Sequence, residues 1–120
     1  AEMTDPYDAE VRSCLRAADE TGLRARADDC VYAAVQGPRL ETAAEVRRLE
    51  RDGCHVVGMT GMPEAALAAE LELPFVCVTV TANWAAGFAG DEPISLPEIM
   101  ANIEAAQDRL RQLLAGWIKT

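Results

Sequence analysis

Cys30-Val31-Tyr32-Ala33-Ala34-Val35-Gln36-Gly37-Pro38-Arg39-Leu40-Glu41-Thr42 is the stretch from which the fold can be read. Residues 30–36 are a short apolar run and predict a strand. Gly37-Pro38-Arg39-Leu40 must be a turn. Thr42 has Glu45 three residues on, a capping-box signature that opens a helix, and Gly53 is its natural stop. The same order recurs downstream. Residues 56–59 predict a second strand, and Pro63 suits the first turn of an alanine-rich helix running to Leu71. Residues 75–82 are β-branched and aromatic and predict the strongest strand of the chain. Residues 83–94 form a long loop. Ser95 and Glu98 then make a second capping box, opening a final helix with Ile99, Ile103, Ala106, Leu110, Leu113 and Leu114 facing inward. Upstream, Pro6 precedes a helix over residues 7–21 that carries Val11, Leu15 and Ala18 at helical spacing, with Gly22 as its stop. Strands that alternate with helices three times predict an α/β fold with largely parallel neighbours.

Composition narrows the function classes. Eleven Lys and Arg against 20 Asp and Glu give a net charge of −9 over 120 residues, which argues against nucleic acid and anionic membrane as main partners. Half the chain is apolar and 26% is charged, a globular balance for one domain or part of a larger one, with a sizeable core expected. The longest uncharged run, residues 73–90, contains Pro74, Asn83 and two glycines, so it reads as a strand leading into a loop rather than a bilayer span. No export signal opens the sequence, and a cytoplasmic location is expected. Cys14, Cys30, Cys54 and Cys77 form no C-x-x-C pair, and with a single histidine no zinc site is expected. Reduced thiols packed in the core are the expectation.

In α/β sheets ligands sit beyond the carboxyl ends of the strands. Three loops follow those ends, at residues 36–42, 60–63 and from 83 onward. Taken singly, each has an ordinary structural explanation. In the first, Gly-Pro is a turn, Glu41 is a first-turn carboxylate favoured by the helix dipole, and Arg39 is a solvated cation. In the second, Thr60 is either an N-cap or part of an anion site at a helix start. In the third, Asn83 is either a turn residue or an amide suited to a heterocycle edge.

Together the three loops are more specific. Gly-Pro-Arg-Leu-Glu-Thr-x-x-Glu from Gly37, Gly-Met-Thr-x-x-Pro-Glu-x-x-Leu-Ala from Gly58, and Asn-x-Ala-Ala-Gly from Asn83 occur in order. They strongly resemble the trimeric purine nucleoside phosphorylase and 5′-methylthioadenosine phosphorylase family, and most of all its S-methyl-5′-thioinosine branch. The resemblance begins at Glu2-Met3-Thr4-Asp5-Pro6-Tyr7 and covers nearly the whole chain. It implies a purine nucleoside phosphorylase-type fold with a central mixed sheet flanked by helices. It also implies an enzyme that splits S-methyl-5′-thioinosine with inorganic phosphate as co-substrate, giving hypoxanthine and methylthioribose 1-phosphate, with no cofactor.

Position by position, the resemblance implies that Asn83 is the catalytic residue, addressing N7 and O6 of the base. Relatives that cleave 6-aminopurines carry Asp there. Glu41 matches the carboxylate that accepts from N1–H, a proton hypoxanthine has and adenine lacks. Leu40 takes the place of an aromatic base wall in many relatives, and Ala85 lies beside the base. Met59 matches the residue under the ribose, and Thr60 the hydroxyl that helps hold phosphate. Leu96 stands where inosine-cleaving relatives carry a His, so Leu96, Ile99 and Met100 suit a 5′-methylthio group; simple helix packing is the alternative for all three and explains Ile99 equally well. His55 reads as surface, Arg47, Arg48 and Arg51 as the polar side of a helix, and Trp117 as packing.

The family's domain extends well beyond this length, and its N-terminal half supplies a glycine-rich phosphate loop that nothing here resembles. Residues 1–120 are therefore expected to be a C-terminal half. They should need a complementary half or chain for turnover and, by resemblance, assemble as a trimer of complete units. An inosine/guanosine or methylthioadenosine phosphorylase of the same fold is one alternative. A non-catalytic nucleoside-binding or assembly fragment is another.

Overall fold

A computed structural model of the chain describes residues 1–19, 30–90 and 92–119. Helix α1 spans Ala9–Ala17. It starts where the Asp8 carboxylate accepts from the Val11 amide at 2.8 Å, two residues later than the sequence predicts. The expected stop at Gly22 lies outside the described residues. Strands β1 (Tyr32–Ala34) and β2 (Val56–Gly58) pair in parallel, Ala33 opposite Val57. Both are shorter than expected. The ladder still runs on at each end, through Val31 O accepting from the His55 amide and Val35 N donating to Gly58 O, both at 2.9 Å.

Helix α2 (Ala43–Arg51) joins the two strands and follows the sequence closely at both ends. Thr42 and Glu45 make the reciprocal capping box. At the other end the Cys54 amide donates to Leu49 O and the Gly53 amide to Glu50 O, a Schellman closure that requires the left-handed φ of +86° at Gly53. Helix α3 (Glu64–Glu70) has Pro63 as its cap rather than inside its first turn, and packs through Ala65 and Ala68. Helix α4 (Leu96–Lys119) starts at Ser95, whose hydroxyl accepts from the Glu98 amide at 3.4 Å. It lies against α1 so closely that a Cβ on Gly116 would stand 2.9 Å from Ala18 O.

Three expectations are corrected. Residues 75–82 do not form a strand: they have no ladder partner among the described residues, and only Phe75 O accepts from another backbone amide, that of Asp8 at 2.7 Å. β-propensity measures how well a side chain fits beside a neighbouring strand, and without that neighbour it has nothing to act on. The sheet of the described residues is therefore the β1–β2 pair. The inward face of α4 is also only partly covered. Ile99, Ile103, Ala106, Leu110 and Leu113 are half-buried, Leu114 is exposed, and no residue of α4 is buried. At 1.5 Å per residue α4 is about 36 Å long and α1 about 14 Å, too short to cover it.

Finally, the core is thin. Leu15, Ala18, Ala33, Val46, Ala65 and Ala68 are buried, but no large side chain is fully enclosed. None of the cysteines is buried: Cys14 and Cys30 are exposed, Cys54 and Cys77 half-buried, and all four are free. Partial burial pushes the Cys77 thiol pKa up. The accessible surface is 9098 Å², against roughly 6,300 Å² for a compact monomer of this mass. Leu67, Leu71, Leu73, Val78 and Val80 are among the large apolar side chains left exposed.

Candidate active site

Parallel pairing sends the chain out of β1 and β2 at the same end of the sheet, so the first two loops emerge side by side. Gly37 has φ +65°, and a Cβ built on it would stand 2.5 Å from the sulfur of Met59. The turn after β1 thus rests directly on the loop after β2. Tyr32 ties the same loop down from β1. Its ring lies against Gly58 and Gly61, and its hydroxyl accepts from the Thr60 amide at 3.2 Å. Nothing in the sequence singled out Tyr32. The available signal was one large aromatic in a strand of Ala and Val, with two small glycines at the matching positions of the next strand and loop.

Arg39 is exposed, as expected of it alone, but its guanidinium is not free. Its guanidinium grips Glu45 through two bonds of 2.8 Å, and also donates to Leu40 O at 3.1 Å. Glu45 in turn accepts from the Thr42 amide at 2.7 Å. The Arg39 bonds, helped by the Thr42 amide, hold the Glu45 carboxyl at about 2, well below the usual carboxylate range. Glu41 sits between these groups, half-buried, and its carboxylate accepts no hydrogen bond among the described residues. Leu40 is exposed.

The third loop leans on the start of α2, where a Cβ on Gly87 would stand 2.9 Å from the Cβ of Ala43. Asn83 opens onto a cavity of about 470 Å³ bounded by Thr81 and Trp84 on the loop side and by Glu98, Asn102 and Arg109 on α4. The Asn83 amide donates to Trp84 O at 2.7 Å, leaving its own oxygen as an acceptor. Asn102, which sequence reading passed over, donates to Ala82 O at 2.6 Å and fastens the base of this loop to α4.

Leu96, Ile99 and Met100 occupy the first turn of α4, with Leu96 and Met100 exposed, and none of them lines the Asn83 cavity. At 3.6 residues per turn Leu96 and Met100 point about 150–170° away from the stripe of Glu98, Asn102, Ala105 and Arg109, and Ile99 about 90° away. The structure therefore brings Leu40, Glu41, Met59 and Thr60 to one end of the sheet and sets the loop of Asn83 and Ala85 beside α2. It does not bring the three apolar residues to the Asn83 cavity. His55 is exposed as expected, yet it has a partner: its Nδ1 accepts from the Val31 amide at 2.9 Å. Among the described residues, no three His, Cys, Asp or Glu side chains gather as a metal site, and no helix is long and apolar enough to cross a membrane.

The family model of the phosphorylase superfamily matches residues 1–119, and the chain belongs to that family. Among curated relatives it is 49% identical over 110 residues to a probable S-methyl-5′-thioinosine phosphorylase of Xanthomonas campestris, covering 91% of this chain and 44% of the relative. It is 39% identical to a probable 6-oxopurine nucleoside phosphorylase of Thermococcus kodakarensis, covering 94% of this chain and 42% of the relative. Methylthioadenosine phosphorylase from Schistosoma mansoni, solved with adenine, shares the fold with a TM-score of 0.82 at 20% identity, over 98% of this chain and 47% of that one. The chain thus spans about half the length, or less, of the proteins it matches.

Proposed function

We propose that this chain is the base- and ribose-facing part of a phosphorylase acting on S-methyl-5′-thioinosine. The likeness to the Xanthomonas campestris protein carries the reading. In the reaction a phosphate oxygen bonds to C1′ as the bond from C1′ to the purine breaks, and the bonding electrons leave with the base. Negative charge gathers on the purine, so donors and acceptors preset around it lower the barrier. Asn83 takes that role at N7 and O6, and Glu41 accepts from N1–H, with Leu40 and Ala85 beside the base. Met59 lies under the ribose and Thr60 helps hold phosphate, the co-substrate; no cofactor takes part. Leu96, Ile99 and Met100 receive the methylthio group, an assignment that rests on the likeness to relatives, since these residues do not line the Asn83 cavity.

The remaining phosphate-binding groups come from a further segment, in this chain's own polypeptide or in a partner chain. The excess apolar surface, which includes Leu71 and Leu73, supports such a covering segment. The complete units assemble as trimers and work in the cytoplasm.

The Thermococcus kodakarensis relative favours a second reading, a 6-oxopurine nucleoside phosphorylase. Steady-state rates of the complete protein with phosphate and methylthioinosine, inosine or methylthioadenosine separate the two. Inosine cleaved as well as methylthioinosine would select the second reading, and binding without turnover would leave a nucleoside-binding protein. Asn83→Asp is expected to lower the methylthioinosine rate about a hundredfold, the cost of one transition-state hydrogen bond, and to raise relative activity on methylthioadenosine. An unchanged ratio would mean that the base is read elsewhere.

A further inference from the structure

We infer that Arg39 and Glu45 are a positioning pair whose task is to fix the direction in which Glu41 projects. The inference rests on the proposed function and adds to it a device that neither the family match nor the relatives' names assign.

The geometry is specific. Two peptide units meet at the Cα of Glu41, one containing the carbonyl of Leu40 and the other the amide of Thr42. Arg39 donates to the first, at 3.1 Å to Leu40 O. Glu45 accepts from the second, at 2.7 Å from Thr42 N. The two residues are locked to each other by a fork of two 2.8 Å bonds. With both flanking peptide units held, φ and ψ of Glu41 are held too, and with them the direction of its Cα–Cβ bond. Glu45 is anchored independently, because its amide donates to the Thr42 hydroxyl in the capping box of α2.

An exposed ion pair contributes little stability as a rule, even in good geometry. Its value here is geometric. A carboxylate that reads a single N–H must be aimed, and a loop with a glycine on one side does not aim it unaided. Lys at position 39 would keep the charge but lose the planar fork.

The test uses the complete protein carrying Arg39→Ala, Arg39→Lys or Glu45→Gln. Glu45→Gln keeps the capping-box bond to the Thr42 amide, since Gln also closes it, but loses the charged fork to Arg39 and with it the hold on Leu40 O. Two readouts are taken, calorimetric affinity for hypoxanthine and for adenine, and backbone ¹⁵N relaxation at Glu41 without any base. All three variants should lose backbone order at Glu41. The ratio of hypoxanthine to adenine affinity should fall roughly ten- to a hundredfold, the worth of one hydrogen bond to a charged group. Undiminished order at Glu41 would overturn the positioning role. So would an equal weakening for both bases, which is what a merely structural pair would cause. A wild-type protein with no preference for hypoxanthine would overturn the functional reading instead, and the relaxation data would still decide whether the pair holds Glu41.

Discussion

Replacing Gly37 by Ala perturbs the first loop in two ways that can be measured apart. The left-handed φ of +65° costs an L-residue about 1–2 kcal/mol. The new methyl group would also meet the whole thioether of Met59, at 2.5 Å from its sulfur, 3.3 Å from Cγ and 3.4 Å from Cε. Overpacking of this kind adds about 1–3 kcal/mol, so the total loss is roughly 2–5 kcal/mol. Gly53 supplies the control. Its φ is +86°, yet a Cβ there meets nothing within 4 Å, so Gly53→Ala carries the backbone cost alone.

Urea unfolding followed by circular dichroism gives both losses from the shift in midpoint at constant slope. Gly37→Ala should lose about 1–3 kcal/mol more than Gly53→Ala. In a Met59→Ala background that excess should vanish, because residues in contact couple and distant ones do not. Equal losses at the two glycines, or an excess that survives removal of the thioether, would refute the contact between the first two loops. The ribose role proposed for Met59 would lose its structural footing at the same time.

Two further perturbations bear on the site. Glu45 has its folded pKa lowered from 4.5 to about 2, so its stabilising effect is complete above about 5 and is lost as pH falls from there through about 2. The stability gap between wild type and Glu45→Gln in melts at pH 7, 5, 3 and 2 should therefore be constant at first and then close; a gap that grows toward low pH would contradict the ion pair. Asn102→Leu removes the bond to Ala82 O, and should lower stability by about 1 kcal/mol while speeding hydrogen exchange of the backbone around Asn83. Unchanged exchange there would mean that α4 does not hold this loop.

What could be read from sequence was what is local. The ends of α2 depend on Thr42, Glu45 and Gly53, each acting within a few residues of itself, and all three behave as their types dictate. The alternation of strand and helix through β2 is equally local. Residues 75–82 failed for the opposite reason, since a strand exists only with a neighbour and Val78 and Val80 find none among the described residues. Arg39 failed more subtly. Its partner lies six residues away across a turn, a spacing that no helical or strand periodicity marks. Tyr32 and Asn102 act over 28 and 20 residues of sequence, and only the folded chain reveals them.

The candidate polar residues share a pattern that distinguishes them from structural ones. Around Glu41 the hydrogen bonds fall on Leu40 O and Thr42 N, not on its carboxylate. At Thr60 the Tyr32 hydroxyl takes the backbone amide, and the side-chain hydroxyl makes no bond among the described residues. At Asn83 the tether from Asn102 reaches the preceding carbonyl, and the side-chain oxygen remains an acceptor. Compare Asp8, Thr42 and Glu45, whose side chains are committed to caps and ion pairs. A residue used for architecture has its polar atoms engaged; a residue used for binding needs its backbone held and its polar atoms left for the ligand. Glu41 and Thr60 meet both conditions; Asn83 meets them in part, since Trp84 O takes one of its two amide N–H groups and leaves the other, along with the oxygen. They lie on the loops that leave the carboxyl ends of the two strands and on the loop packed beside them, where an α/β sheet places its ligand.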